Sequence, residues 1–369
     1  MLKILQVFAS KIQKHGSFED FMIELAKQSQ ERSFGIGFVF PDIKTQSVKQ
    51  GLESFGANIY VVSKPWSSLG FVVEILRIVR KGKYDVIDFH FCHYVCHVLL
   101  FFILRLLGKK VVFHYHGEIR SIEELSFVNR HFSHLRALTL FPSKIICVSK
   151  ANKRFLQALH IRKVIDVVYN GIKLDSFENM ITRNDFRKKL GLEENDLVVA
   201  SIGTLIPRKG MDVLIRAAKI VLEEVPKAKF IIIGGGNKEP YELIAKELKI
   251  EGRVIFTGLL KEYPFDILKG TDVYVSASFA ESFGLSIAEA EILEIPVVAT
   301  RVGGVLEVVN DGNTGFLVTS GDSKALAEKI SLLLKDSALR KEMGRKGKKW
   351  VCDNFDLRKK VEELLEVLI

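Results

Sequence analysis

Short runs of β-branched and aromatic residues recur through the first half of the chain, and amphipathic stretches of helical period separate them. The runs cover residues 3–8, 34–40, 57–62, 85–91, 110–116, 144–149 and 164–169, and the helical stretches include residues 18–32 and 69–81. Runs of this length form single strands, and a helix between consecutive strands is typical of a crossover connection. The first half therefore predicts a parallel sheet flanked by helices.

The same alternation restarts in the second half of the chain. Its runs cover residues 197–203, 229–234, 253–258, 272–276, 296–300 and 315–318, and several are almost continuously apolar, as in strands buried on both faces. We therefore predict an α/β protein of two Rossmann-like, doubly wound domains. The predicted segments are residues 1–178, residues 179–350, and a C-terminal helix in residues 351–369 that can pack back on the first domain. Open parallel sheets bind ligands beyond the carboxyl ends of their strands, which places the expected site in a cleft between the domains.

The apolar stretches indicate which compartment the chain occupies. The longest of them, residues 95–107, is shorter than the roughly 20 residues that cross a bilayer as a helix, and Arg105 interrupts it. The N-terminus lacks the cleavage pattern of a signal peptide, and the four cysteines form no disulfide framework. These features favour a cytoplasmic location.

The net charge of +10 is concentrated in the first half. Residues 1–178 contain 25 Lys and Arg against 15 Asp and Glu, whereas residues 179–369 contain 29 of each sign. A basic domain beside a neutral one fits an anionic partner such as a membrane surface, a lipid phosphate or an acidic polymer. Charge that serves solubility alone is the alternative. A nucleic-acid partner is not expected, because no helix-turn-helix, zinc or RNA-binding motif accompanies the charge.

A basic loop at residues 203–210 follows the first strand of the second half. It places Arg208 and Lys209 just before a predicted helix at residues 211–221. The start of a helix offers unpaired amides and a positive dipole, so two added cations suit it to a diphosphate. The loop is not a Walker motif, since its Lys precedes the Gly. Two solvated basic residues would explain the loop if it stood alone.

An acidic turn at residues 279–290 follows the fourth strand of the second half. Glu281 and Glu289 flank a Ser-Phe-Gly-Leu turn that leads into a helix, where the amides of Gly284 and Leu285 can face an anion. A carboxylate near a helix start stabilises that helix, which explains each Glu singly. The pair around one turn instead indicates a sugar ligand, because a carboxylate can accept hydrogen bonds from neighbouring hydroxyls.

The segment from His90 to His97 raises the alternative of a metal site. His93 and His97 are spaced i,i+4, and Cys92 and Cys96 repeat that spacing. Structural zinc needs four convergent ligands, whereas these side chains fall on two faces of a helix. We therefore expect no metal here, and we keep His90, at the end of a strand, as a candidate for acceptor contact.

Several motifs follow one another in order across the second half. They are Gly203, Arg208-Lys209-Gly210, Gly234-Gly235-Gly236, residues 254–258, Glu281 with Glu289, residues 296–300, Gly303-Gly304 and residues 311–315. Together with weaker matches at residues 16–19, 114–117 and 168–171, these motifs resemble the retaining glycosyltransferases of family 4, which have the GT-B fold. Thr204 stands where that family usually has Arg, and Arg208 can replace the lost charge.

The resemblance implies roles for the matching residues. The implied catalytic residues are Lys209 and Arg208, which would hold the donor diphosphate, Glu281 beside the donor sugar, and His116 in the cleft. The implied donor-binding residues are Gly16, Ser17, Thr204, Leu259, Leu260, Ser282, Phe283, Gly284, Leu285 and Glu289. Among these, Glu289 would bind the ribose hydroxyls.

The resemblance also implies a reaction. It is the retaining transfer of a sugar from a nucleotide-sugar donor to a glycan or lipid-linked acceptor, without metal or cofactor, in cell-envelope polysaccharide assembly. The absence of an Asp-x-Asp pair agrees with metal independence. The basic first half adds possible contact with the inner face of the cell membrane. A GT-B-fold nucleotide-sugar epimerase and a non-catalytic nucleotide-sugar-binding subunit remain the alternatives.

Overall fold

Two parallel sheets organise the chain in the computed structural model, which describes residues 1–9, 16–91, 95–117, 133–174, 183–260 and 268–369. One unit comprises Met1–Lys173 together with Leu357–Ile369, and the other comprises Leu174–Asp356. Each contains one sheet with flanking helices, which confirms the predicted α/β class with two Rossmann-like domains. The predicted seam after residue 178 lies outside the described residues.

The first unit has a seven-stranded sheet in the order β3-β2-β1-β4-β5-β6-β7. Its strands are β1 Lys3–Phe8, β2 Gly35–Phe40, β3 Asn58–Val61, β4 Val86–His90, β5 Lys110–Tyr115, β6 Lys144–Cys147 and β7 Ile165–Val167. Its helices are Ser17–Glu31, Gln46–Ser54, Leu69–Gly82, Val95–Leu106, Ser133–Leu138, Lys150–Ala158 and Leu357–Leu368. The order reverses between β1 and β4, so the segments that follow these two strands flank the crevice where such sheets bind ligands.

The last helix, Leu357–Leu368, completes the core of the first unit. Its buried side chains recur at helical spacing and pack with Ile4, Phe8 and Met22; they are Leu357, Val361, Leu364, Leu365 and Leu368. A methyl group at Gly171 would lie 2.4 Å from the Leu357 Cα, so this helix starts directly against the end of the first unit's main segment.

The helix Val95–Leu106 is apolar on two sides. Leu100, Phe101 and Leu104 are buried in the first unit, whereas Leu99 and Phe102 on the opposite side are 42% and 41% exposed. Leu106 is 71% exposed, and the i, i+3, i+7 spacing puts these three residues on one helix face. Across the described ranges, no helix has both the length and the apolar character needed to span a bilayer.

The second unit has a six-stranded sheet in the order β10-β9-β8-β11-β12-β13. Its strands are β8 Leu197–Ile202, β9 Ala228–Ile233, β10 Val254–Gly258, β11 Val273–Ser276, β12 Val297–Thr300 and β13 Gly315–Val318. Its α-helices are Arg183–Lys189, Met211–Glu224, Glu239–Glu247, Leu285–Ile292, Val305–Val308, Ser323–Lys335 and Ser337–Asn354. The order reverses between β8 and β11, and the basic loop and the acidic turn follow these two strands. The topology therefore places both predicted loops at one edge of one sheet.

Candidate active site

Lys209 and Glu281 meet where β8 and β11 end. The Lys209 ammonium forms a direct, hydrogen-bonded ion pair with Glu281 Oε1, and the Ser278 hydroxyl donates to the same oxygen at 2.9 Å. The Lys209 and Glu281 side chains are 18% and 12% exposed, so both are shielded yet reachable from solvent. The structure thus brings together the cation and the carboxylate that the sequence placed on separate loops.

Close backbone contacts hold the two loops against each other. Gly210 has φ +63°, and a Cβ there would lie 2.0 Å from the Ala277 carbonyl oxygen, so this position accepts only glycine. The Phe279 amide donates to the Arg208 carbonyl at 2.8 Å. The Arg208 guanidinium donates to the Ala280 carbonyl at 3.2 Å. Arg208 therefore braces the acidic turn.

The acidic turn ends at Gly284, which precedes the helix Leu285–Ile292. Gly284 has φ +104°, and no side chain caps this helix start. The Phe283 side chain is buried against the Phe355 ring at 5.2 Å, so Phe283 can offer a ligand only its backbone. The Gly304 amide donates to the Glu281 carbonyl at 3.2 Å, and a Cβ at Gly304 would lie 2.3 Å from the Ser282 carbonyl oxygen. The backbone of Gly304 thus packs directly against the acidic turn and holds it in place.

Glu289 lies on the helix Leu285–Ile292 and is 7% exposed. Burial raises the pKa of the nearby Tyr274 hydroxyl far above its usual range, and the charges of Glu289 and Glu281 raise it further. Tyr274 therefore stays neutral and donates to the Ser286 hydroxyl at 2.8 Å. Tyr274 lies on β11, the strand that precedes the acidic turn, so the tyrosine and both carboxylates belong to one continuous segment of the second unit.

The remaining donor-binding candidates of the second unit lie at the ends of β8 and β10. Thr204 is exposed after β8, and Leu259, 60% exposed, follows β10. A Cβ at Gly235 would lie 3.5 Å from the Leu259 Cβ, so Leu259 stands beside the glycine turn that follows β9. Leu260 is half-buried, and residues 261–267 lie outside the described residues.

Gly16, Ser17 and His116 lie near one another in the first unit. Gly16 precedes the helix Ser17–Glu31 in an extended conformation, and its carbonyl accepts from the Asp20 amide at 3.0 Å. Ser17 is buried. The next residue, Phe18, places its ring edge-on to the His116 ring at 5.9 Å. The helix start and His116 therefore share one edge of the first sheet.

A buried polar network lies behind His116. The strand register sets Gln6 beside Asp88 and His90 beside His114. His90 Nδ1 lies 2.9 Å from His116 Nε2. His90 Nε2 lies 2.7 Å from Gln6 Oε1 and 3.2 Å from Asp88 Oδ2. His114 Nδ1 lies 3.5 Å from that same Asp88 oxygen. Gln6, Asp88 and His90 are fully buried, so the network is sealed from solvent except at His116 and the edge of His114.

The buried network favours neutral imidazoles around an ionised carboxylate. Burial lowers the pKa of His90 to about 4, although Asp88 opposes the shift. Burial also holds the pKa of His116 well below its usual range, and His114 and His90 add to this effect. For Asp88, burial alone would raise the pKa, but attraction to His90 and His114 outweighs it and lowers the pKa. At neutral pH Asp88 is therefore ionised, and His90 and His116 are uncharged.

The side chains that suggested a metal site in the sequence are described only in part, and those that are described make other contacts. Cys92 and His93 lie outside the described residues. Cys96 donates to a backbone carbonyl at 2.9 Å, and His97 is fully buried among aromatic rings. Within the described ranges, one group of side chains has a spacing that could hold a metal ion, with its ligand atoms within 4.8 Å: His90, His114 and His116. Metal independence stays a prediction.

Sequence patterns missed the residues that support this site. Ser278 precedes Glu281 by three residues and carries no motif of its own. Tyr274 reads as an ordinary strand residue, and Gln6 and Asp88 lie on strands whose neighbours are unknown before the sheet order is known. The one available signal is a polar side chain in the middle of an apolar strand, as at Gln6 and Asp88.

Comparison with known families gives two consecutive matches. Residues 19–176 match the model of the family described as Glycosyltransferase Family 4. Residues 182–350 match the model described as Glycosyl transferases group 1. The two matches meet near the seam predicted from the sequence and together span most of the chain.

Individual relatives match this chain over most of their length. The chain is 26% identical over 362 residues to N-acetyl-alpha-D-glucosaminyl L-malate synthase of Bacillus anthracis, with 92% of this chain and 90% of that protein covered. It is 25% identical over 310 residues to an Escherichia coli UDP-Gal:alpha-D-GlcNAc-diphosphoundecaprenol alpha-1,3-galactosyltransferase, with 81% and 78% covered. The crystal structure of Anabaena HepE in complex with UDP and glucose is similar with a TM-score of 0.79 and 26% identity, covering 100% and 99% of the two chains.

Proposed function

Because the chain belongs to the family 4 glycosyltransferases of the GT-B fold, we propose that it moves a hexose from a nucleoside-diphosphate donor to a glycan or lipid-linked acceptor during cell-envelope assembly. The observation that carries the donor assignment is the Lys209–Glu281 pair beside the uncapped start of the helix Leu285–Ile292. It combines a cation and backbone amides for phosphate with a carboxylate for sugar hydroxyls. The HepE complex with UDP and glucose supports a UDP-hexose as the donor to test first.

In the proposed reaction Lys209 and Arg208 stabilise the negative charge that grows on the leaving diphosphate. Diphosphate competes with Glu281 for the Lys209 ammonium, and the Ser278 hydroxyl keeps Glu281 in place when Lys209 turns away. The backbone amides at Gly284 and Leu285 add fixed dipoles at the same place. In a retaining, front-face transfer the departing phosphate oxygen accepts the proton of the acceptor hydroxyl, so the protein mainly positions the reactants.

The other candidates take roles around this centre. Glu289 accepts from the ribose hydroxyls, and the backbone at Leu259 and Leu260 contacts the base. Thr204, Ser282 and Phe283 complete the donor pocket of the second unit, the last two through their backbone groups. In the first unit, Gly16 and Ser17 approach the phosphates and His116 contacts a substrate hydroxyl. Burial of the Phe283 side chain and the extended backbone at Gly16 support these assignments.

A donor screen tests the proposal. Purified protein is heated with UDP-, GDP- or ADP-hexoses, and the matching donor should raise Tm. A ligand at 100 times its Kd stabilises a folded protein by about 2.7 kcal/mol. The Lys209→Ala variant should lose most of that shift, whereas Lys238→Ala, at an exposed lysine of the same unit, should keep it. A screen in which every nucleotide sugar leaves Tm unchanged would contradict the proposed function. Product formed from the donor alone would indicate an epimerase.

We propose further that the first unit meets an anionic membrane surface that presents a lipid-linked acceptor. The exposed face formed by Leu99, Phe102 and Leu106 supports this idea, because Arg105 and Lys109 lie beside it. An apolar face with basic flanks can rest on an anionic leaflet without crossing it, and each cation near such a surface contributes about 1 kcal/mol. Lys110 is a weaker contributor than its sequence position suggests, because its ammonium donates to the Leu368 carbonyl at 2.9 Å.

Vesicle co-sedimentation tests the membrane proposal. Binding should appear with vesicles that contain anionic lipid, be absent with neutral lipid, and fall as salt rises. The Leu99→Ser/Phe102→Ser double variant should bind less, whereas Leu243→Ser, at a 56% exposed leucine of the second unit, should bind normally. Equal partitioning with both kinds of vesicle would contradict the proposal and favour a soluble acceptor.

A further inference from the structure

The buried network behind His116 has no role in the proposed transfer beyond that histidine itself. It places an ionised carboxylate, Asp88, in contact with His90, and His90 in contact with His116. Buried charges are costly, so a fully buried carboxylate that contacts a site residue through one side chain calls for a specific task. We infer that Asp88 and His90 are positioning residues that fix His116 as its Nε2–H tautomer, so that Nδ1 accepts a hydrogen bond from a substrate hydroxyl.

The direction of each hydrogen bond follows from the chemistry of the partners. The Gln6 carbonyl oxygen only accepts, so His90 Nε2, 2.7 Å from Gln6 Oε1, carries the hydrogen. Asp88 Oδ2 lies 3.2 Å from the same nitrogen without a hydrogen bond, and its negative charge favours the hydrogen at that position. A neutral imidazole has one N–H, so His90 Nδ1 has a lone pair. The 2.9 Å contact with His116 Nε2 is then a hydrogen bond in which His116 donates.

The ring of His116 is held in the orientation that this tautomer needs. The Phe91 ring stacks on it at 4.4 Å, and the Phe18 ring stands edge-on at 5.9 Å. The His114 ring also stacks on it, at 4.6 Å. Burial lowers the pKa of His116, which keeps it neutral near pH 7 and leaves Nδ1 unprotonated. His116 is half-buried, so the network ends at the one imidazole of the His90–His116 pair that solvent can reach.

The role of Nδ1 depends on the proposed function, which supplies the substrate hydroxyl. The tautomer does not depend on it. An Nδ1 lone pair selects a hydroxyl donor and disfavours a carbonyl or phosphate oxygen, both of which only accept. The inverse tautomer would present an N–H instead and would favour those acceptors. The network therefore sets the chemical class of group that His116 recognises.

Nitrogen NMR of histidine-labelled protein tests the inference directly. Long-range proton–nitrogen spectra distinguish the two neutral tautomers and the charged ring, and comparison with the His116→Gln variant assigns the His116 signals. We expect His116 to be neutral near pH 7 with its hydrogen on Nε2, and His90 to have its hydrogen on Nε2 as well. A His116 hydrogen on Nδ1 would overturn the inference, as would a metal ion bound by these histidines in the purified protein.

An Asp88→Asn variant tests the role of the carboxylate. An amide can donate as well as accept, so His90 can reverse, and His116 should populate both tautomers. We expect kcat to fall at least tenfold with a smaller change in donor KM, because the substitution keeps the size of the side chain and the donor site of the second unit. Asp85→Asn is the matched control. Asp85 lies three residues before Asp88 and accepts a hydrogen bond from the Lys3 amide at 3.0 Å. This variant should keep a single His116 tautomer and the native kcat.

Two outcomes separate this inference from the proposed function. A single, unchanged His116 tautomer in Asp88→Asn would overturn the positioning role even if the enzyme transfers sugar normally. The expected tautomers without any donor-induced rise in Tm would leave the positioning of His116 intact and contradict only the proposed function. If Asp88→Asn fails to fold, the spectrum of the native protein still decides the tautomer.

Discussion

At the scale of single residues, the Lys209–Glu281 pair is the central feature of the second unit. Both side chains are shielded, and Ser278 gives Glu281 a second hydrogen bond, so in the proposed reaction the carboxylate would keep a defined position when a diphosphate draws the ammonium away. The pair therefore joins the two loops of the candidate site. We do not expect it to contribute much to stability, because the cost of removing both charges from water offsets much of their attraction.

Lys209→Ala and Glu281→Gln should each lower kcat/KM at least tenfold, equivalent to about 1.4 kcal/mol of transition-state stabilisation. Steady-state kinetics with the donor found in the screen measures the loss, and circular dichroism checks that both variants are folded. The exposed pair Lys238–Glu242, joined at 2.8 Å on a helix of the same unit, provides matched controls: Lys238→Ala and Glu242→Gln should behave as the native protein. Near-native activity in both site variants would sink the assignment.

Glu291 gives a prediction about stability and pH. This residue is fully buried, neither of its carboxylate oxygens has a hydrogen-bond partner among the described residues, and burial raises the pKa of the carboxyl well above the usual range. Below the pKa of an unfolded glutamate, about 4.3, both states are protonated and Glu291 costs nothing. As pH rises above that value the unfolded chain ionises first. Stability then falls by up to about 1.4 kcal/mol per pH unit, until the folded pKa is reached.

Glu291→Gln should remove that loss. Its Tm should match the native protein near pH 4 and exceed it increasingly as pH rises towards 8, as differential scanning fluorimetry can measure. Glu247→Gln, at an exposed glutamate of the helix Glu239–Glu247, is the control and should follow the native protein throughout. Parallel curves for Glu291→Gln and the native protein would show that the buried carboxyl is ionised or solvated after all.

The residues of the site differ in how far the sequence could predict them. Lys209, Glu281 and Glu289 stand in motifs of fixed spacing beside glycines that force local backbone geometry, so their neighbourhood follows from the loops themselves. Asp88 and Gln6 could not be placed that way, because their partners come from neighbouring strands. Register across strands depends on the packing of the whole sheet, which no local pattern states.

At the scale of elements, the acidic turn depends on a close approach of backbone to backbone. Gly304 lies against it, with a Cβ position 2.3 Å from the Ser282 carbonyl oxygen, and its φ is −72°, so the obstacle to a side chain is contact and not conformation. Gly304→Ala should displace the turn and lower stability by about 1–3 kcal/mol, the usual effect of overpacking. Denaturant unfolding and donor titration measure the two effects. Gly252→Ala, where a Cβ meets nothing within 4 Å, should change neither.

The hydrophobic pattern predicts the strands and helices but not the order of the strands in each sheet. The alternation of apolar runs with amphipathic stretches predicted strands and helices, and the first-unit helix expected at residues 69–81 is Leu69–Gly82. The pattern predicts that Asp88 and Gln6 each lie within a strand. It does not say that β1 lies between β2 and β4. That arrangement comes from right-handed crossovers on both sides of β1, and it creates the crevice beside Gly16 and His116.

At the scale of the whole molecule, the proposed reaction takes the positive charge that it needs from the protein itself. Lys209, Arg208 and the helix start at Gly284 offer positive potential to a diphosphate. We therefore expect transfer to continue in EDTA at the native rate. Activity lost on chelation and restored by Mg²⁺ or Mn²⁺ would contradict this prediction and assign the diphosphate to a cation. Restoration by Zn²⁺ alone would instead direct attention to the three histidines of the first unit.

The return of the last helix to the first unit has a consequence for how the protein is made. Leu364, Leu365 and Leu368 cover Phe8 and Met22, yet the whole second unit is translated between them. While residues 174–356 emerge from the ribosome, the part of this core that the last helix covers stays exposed. The second unit is continuous in sequence and can finish folding during synthesis. The first unit can complete its core only after the helix Leu357–Leu368 has been made. The nascent polypeptide thus passes through a stage with an open hydrophobic face, the kind of surface that chaperones bind.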